Sequence, residues 1–263
     1  VAPADLAAAL SGEEAARLAC RVLAVMSVAD GALDEAKIAL VREYADALGQ
    51  HEDYLRVLTE SVEGEMHQAA ACMVRKNILS FPGLDHTSAE FLDVFMPYRD
   101  AADPDLAARY AALGELAPGT FGRAFFDHFS RNGFAFPGDP AGLSEGFTTP
   151  HDSSHVLAGY STSQAGEICV STFIGGMHPD HPMAAEVLPV LFSWHLGIKL
   201  TPVAGSFRGA YEPRRFWTAW SRGAGTSVDL LDAGWDFWGA TEAGLEELRR
   251  DYDVAPVDPA LAP

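Results

Sequence analysis

The chain has 263 residues, 48% of them hydrophobic and 10% aromatic, enough to close a substantial core and unlike the composition of disordered chains. A formal net charge of -19 opposes nucleic acid as a partner, because such binding relies on Lys and Arg to neutralise phosphates. No apolar run approaches the length of a bilayer span, and three scattered cysteines (Cys20, Cys72, Cys169) are too few for a disulfide framework.

Residues 1–10 lack the basic-then-apolar pattern of a secretory leader, so the expected location is cytoplasmic. The acidic balance weakens attraction to anionic lipid but leaves room for a greasy ligand or an apolar contact at a membrane periphery.

Residues 11–76 read as a small helical module. Ser11 and Glu14 have capping-box spacing, and Ala15, Leu18, Ala19, Val22 and Met26 supply an apolar stripe ending near Ala29-Asp30-Gly31. A second helix runs through Ile38, Val41, Ala45 and Leu48 to Gly49, and a third covers Tyr54, Leu55, Leu58 and Val62, with more after Gly64. Asp30, Asp34 and Glu35 lack the alternating oxygens of a calcium loop and read instead as a turn that caps the next helix. The pattern from Val25 to Gly49 resembles the tellurite-resistance B-like helical domains. On this reading the chain divides into a helical module at 1–85, a larger domain at 86–255 and an extended tail at 256–263. The boundary lies in the Pro/Gly/Asp-rich zone 80–105.

The larger domain stays helical, giving an all-α fold class. Thr120 caps a segment from Gly122 to Phe129, and no glycine-rich nucleotide loop is present. Thr149-Pro150 reads as a helix opening, with His151 and His155 on one face and terminal amides that disfavour imidazolium at His151. A reversal near Gly159-Tyr160-Ser161 leads into a second helix, with Ser161 and Gln164 as its capping box. His155 lies six positions before Ser161 and Glu167 six after it, so an antiparallel helical hairpin sets the two side chains opposite each other.

Two imidazoles and a carboxylate are the donor set of catalytic zinc and of mononuclear non-heme iron. One divalent metal is therefore expected on His151, His155 and Glu167, with zinc the first choice and iron the alternative. Asp152 divides between capping its helix and serving as ligand, outer carboxylate or proton carrier. Tyr160 could offer an adjustable hydroxyl, and Arg123 either meets an anionic substrate group or forms a structural ion pair. The candidate catalytic residues are thus Asp152, Glu167 and Tyr160. His128 and His195 read as hydrogen-bonded core or pocket-wall histidines, and His178-Pro179-Asp180-His181 as a turn with solvated side chains.

His151-Asp152-Ser153-Ser154-His155, followed after 11 residues by Glu167, resembles the metal motif of the coenzyme Q (ubiquinone) biosynthesis Coq-four family. Pro118-Gly119-Thr120-Phe121-Gly122-Arg123 resembles that family's upstream signature, and Gly159 and Gly166 fit its central stretch. Tyr211-x-Pro213 and Trp220-x-Arg222-Gly223-Ala224 are a looser likeness. The resemblance covers roughly residues 90–255 and implies a mostly helical fold with a metal on His151, Asp152, His155 and Glu167. It also implies a lyase-like activity: removal of a ring carboxylate from a prenylated aromatic quinone precursor, coupled to hydroxylation at that carbon. Biosynthetic enzyme partners at a membrane follow from the same likeness, with a homodimer left open. The rival reading is a noncatalytic lipid-binding scaffold that organises a biosynthetic complex.

Overall fold

The computed structural model describes residues 1–81, 96–200 and 205–263. Among these the chain is all-α, without a β-strand, and only two isolated bridges occur, Thr120 to Gly244 and Leu196 to Arg208. The expected boundary at 80–105 falls largely on residues 82–95, outside the described residues. No described helix is long and apolar enough to cross a membrane.

The first five helices are α1 (Pro3–Ala9), α2 (Glu13–Val28), α3 (Glu35–Ala47), α4 (Asp53–Val62) and α5 (Met66–Ser80). Asp34 caps α3 by accepting from the Lys37 amide at 2.9 Å, and Asp30 pairs with the Lys37 ammonium, so the acidic cluster is used as a turn and cap. At α2 the expectation fails. The N-cap is Gly12 at φ +91°, with no side-chain cap bond, because this backbone conformation puts the chain reversal one residue beyond Ser11.

Next come α6 (Pro104–Ala111), α7 (Phe121–Asn132), α8 (Glu145–Ala158) and α9 (Gln164–Met177). A single π-turn (Met183–Val187) runs into α10 (Leu188–Trp194), followed by α11 (Pro213–Ala224), α12 (Phe237–Ala240) and α13 (Leu245–Asp251). Thr120 caps α7 as its sequence indicates, accepting from the Arg123 amide.

Two hydrophobic clusters hold these elements. One joins Cys20, Val28, Ile38, Tyr54, Leu58 and Met73 of the first five helices to Met183, Leu188, Phe192 and Phe216. The other gathers Tyr110, Phe125, Phe129, Leu157, Phe173 and Phe237. Helix α9 contributes to both, Ile168 to the first and Val170, Phe173 and Ile174 to the second. Full burial of each such side chain stabilises the fold by about 1.5–3 kcal/mol.

Helix α11 approaches α9 closely through paired glycines. A Cβ on Gly223 would overlap the Phe173 carbonyl oxygen, and one on Gly176 would overlap the Trp220 carbonyl oxygen. The helix that carries Glu167 is therefore gripped at backbone distance.

Candidate metal centre

Helix α8 begins one turn before the opening read from Thr149-Pro150. Its first residue is Glu145, and Pro150 lies inside the helix. Tertiary partners outweigh the local proline signal. The Tyr98 hydroxyl accepts from the Glu145 amide at 3.1 Å, while the Tyr110 hydroxyl lies 2.8 Å from the Glu145 carboxylate and 2.5 Å from the Thr149 hydroxyl. His151 is consequently mid-helix, and the terminal-amide argument for keeping it neutral does not apply.

The turn between α8 and α9 uses Gly159 in the left-handed region at φ +74°. The cap of α9 is Ser163 rather than Ser161: the Ser163 hydroxyl accepts from the Gly166 amide at 3.1 Å, and the Ser161 hydroxyl is spent on Ser163. Gly166 is required here, because a Cβ would overlap the Ser161 carbonyl oxygen. Glu167 then sits in the first turn of α9, where the helix dipole favours a carboxylate.

The hairpin brings the expected side chains together. His155 Nε2 lies 3.5 Å from Glu167 Oε1, and His151 Nε2 lies 3.8 Å from Glu167 Oε2. One ligand atom from each of these three residues falls within 4.8 Å of the others. Donors about 2.1 Å from a tetrahedral zinc would stand ~3.4 Å apart, so the observed spacing suits a cation among them.

The tautomer of His155 supports the same fit. Its Nδ1 donates to the Tyr160 carbonyl at 3.1 Å, which turns the Nε2 lone pair toward Glu167. That Nε2 is buried and has no hydrogen-bond partner. A buried polar atom without a partner is costly, and a metal would satisfy it.

Asp152 stands on the outer side of the imidazoles. Its Oδ1 accepts from His128 Nε2 at 2.8 Å, and its Oδ2 lies 3.6 Å from His151 Nδ1. This carboxylate-to-histidine arrangement orients a ligand ring from behind. Since Asp152 is mid-helix in α8, beyond reach of the unpaired first-turn amides, its capping role is replaced by these contacts. Burial opposes its ionisation, but His128 and His151 hold the carboxyl well below the usual carboxylate range. Such a group stays ionised and is a poor proton carrier.

Burial also works against charge on His151, yet Asp152, and then the Glu167 and Glu186 charges, hold it up to about 9. Glu167 is lowered despite its burial, by the His155 and His151 rings beside it. The metal-free cluster is thus a compact set of opposite charges, with a proton on His151 in the place of a cation.

A cavity of about 830 Å³ opens onto the cluster. His151, Asp152, His155 and Glu167 line it together with Phe129, Phe134, Leu143, Phe147, Val190 and Trp194. Val74 and Asn77 of α5 complete the wall, so the N-terminal helices are part of the site.

Two expected residues are not brought there. The Arg123 guanidinium bonds Asp127 at 2.9 Å and the Gly114 carbonyl, and it does not line the cavity, which is the structural ion pair. Tyr160 serves His155 through its carbonyl. Its ring packs under the Arg222 guanidinium, and its hydroxyl is buried outside the cavity lining.

The other histidines divide. His195 is a satisfied core residue, 3.1 Å from the Ala29 carbonyl. His178 is buried rather than solvated, because Nδ1 pairs with Asp229 at 2.8 Å, whereas exposed His181 pairs with Asp53. Sequence reasoning missed Glu186, a carboxylate only 2% exposed that lines the cavity. Its signal is Ala184-Ala185-Glu186-Val187, a lone acid within an apolar run. No protein-family model and no curated protein matches the chain.

Proposed function

We propose that the chain is a metal-dependent decarboxylase, or oxidative decarboxylase, acting on the aromatic ring of a hydrophobic metabolite of the quinone-precursor type. The observation that carries this reading is the convergence of His151, His155 and Glu167 at the wall of a cavity of about 830 Å³. Three protein donors leave room for an exchangeable ligand, as catalytic sites require. When bound, the cation supplies Lewis acidity toward an oxygen of the substrate.

The chain's own residues would do the rest. Phe129, Phe134, Phe147 and Trp194 hold an aromatic body and exclude water from the reacting carbon. Asp152 fixes His151 and His128 against rotation. The carbon-carbon bond to the carboxylate breaks, its electron pair stays on the ring, carbon dioxide leaves, and a proton from solvent water, admitted once it has left, takes its place at that carbon.

The apolar lining suits a second reading, a lipid-binding scaffold whose metal fixes the hairpin. Incubation with a prenylated hydroxybenzoate, aerobically and anaerobically, separates the two. Product that depends on metal and disappears in Glu167→Ala supports catalysis. Tight binding without turnover supports the scaffold and overturns the enzyme.

A further inference from the structure

The cavity has a second polar anchor that the His/Glu cluster does not use. Glu186 lies on the π-turn, where the Leu188 amide donates to the Met183 carbonyl five residues back. Such bulges often mark functional positions, because the added residue re-aims side chains. Here Ala185, Glu186, Pro189, Val190 and Ser193 all reach the cavity wall.

Asn77 of α5 holds this turn. Its amide nitrogen donates to the Ala185 carbonyl at 3.0 Å and to Glu186 Oε1 at 3.3 Å. No Lys or Arg lines the cavity, and Glu186 has no ion-pair partner within 4.0 Å among the described residues. A buried carboxylate whose hydrogen-bond partners are neutral, the Asn77 amide and the Ser80 hydroxyl, is costly, and a ligand that brings a further donor reduces that cost. Burial pushes the Glu186 carboxyl up to about 7, against the opposing charges of His178 and His151.

We propose that Glu186 is a ligand-recognition carboxylate, which takes a hydrogen-bond donor, a hydroxyl or an ammonium group, on the body of an otherwise apolar ligand. Asn77 is its positioning residue. The inference deepens the reading of the cavity as a substrate site and names what the substrate carries besides its aromatic body. The N-terminal helices thereby set specificity rather than only packing.

The test is equilibrium dialysis of three naphthalene probes: 2-naphthylmethylammonium, its apolar isostere 2-ethylnaphthalene, and the smaller 2-naphthol. Each is measured on wild type and Glu186→Gln, with the protein metal-loaded and after chelation. The isosteric glutamine keeps the shape and removes the charge. Ammonium binding is expected to weaken about tenfold and naphthol binding by less, while ethylnaphthalene stays within about twofold. Asn77→Ala should lower the ammonium preference in the same direction. All three probes shifting by one factor, or none shifting, overturns the proposal. If metal uptake fails but Glu186→Gln still weakens ammonium binding selectively, the metal reading falls and this one stands. If metal binds and the probes move together, only this one falls.

Discussion

A proton has to leave His151 before a cation can take its place, which makes metal binding steeply dependent on pH. In the metal-free chain burial lowers the affinity of that ring for a proton, but Asp152, Glu167 and Glu186 outweigh it and hold the pKa up to about 9. The imidazole is then about 99% protonated at pH 7 and about 10% protonated near pH 10. Uptake of one ion should release about one proton at pH 7 and roughly 0.1 near pH 10. The sign follows directly: the proton competes, so acid weakens binding. The apparent dissociation constant should fall about tenfold per pH unit between pH 6 and 8 and level off above 9. The total gain between pH 7 and 10 is about 90-fold. Asp152→Asn removes the largest of the raising influences, so its bend should move to lower pH. Titration against a chromophoric chelator, in weak buffer with a pH indicator, reads affinity and proton release together. Affinity constant within twofold from pH 7 to 9, with no proton released, would refute the reasoning.

Other outcomes follow from single contacts. His128→Leu leaves Asp152 without its 2.8 Å donor and should weaken metal binding by about 10–100-fold, measured by the same competition. Tyr160→Phe keeps the carbonyl that His155 uses, so metal affinity should stay within about twofold; a larger loss would place the hydroxyl in the site. Gly223→Ala drives a methyl into the Phe173 carbonyl and should cost about 3 kcal/mol, lowering Tm by roughly 6–12 °C in calorimetry. Without metal, the raised His151 stabilises the fold most below its ordinary 6.5, and this contribution fades as pH rises through about 9. The Tm gap between wild type and His151→Leu should therefore shrink from pH 6 to pH 10.

Much of the site was legible because hairpin geometry is local. Equal spacing of His155 and Glu167 about the turn sufficed to bring their side chains opposite each other, even though both capping assignments in that region were one turn or two residues out. Those errors share a cause. Thr149-Pro150 is a strong local signal, but Tyr98 and Tyr110, distant in sequence, supply the bonds that start α8 earlier. Asp152 was ambiguous for the same reason, since its partner His128 lies on another helix. The all-α fold could be read from apolar periodicity, whereas the π-turn and the inward aim of Glu186 depend on packing against Asn77. His178 looked solvated in a Gly/Pro/Asp-rich stretch and is buried by a partner 51 residues away.

X-ray absorption of the metal-reconstituted chain, paired with elemental analysis, bears most directly on the centre at His151, His155 and Glu167. The account predicts one ion per chain, bound by two imidazole nitrogens and carboxylate oxygen at about 2.0–2.2 Å, and lost in His155→Ala. Sulfur in the coordination sphere, or an ion retained unchanged in His155→Ala, would contradict it.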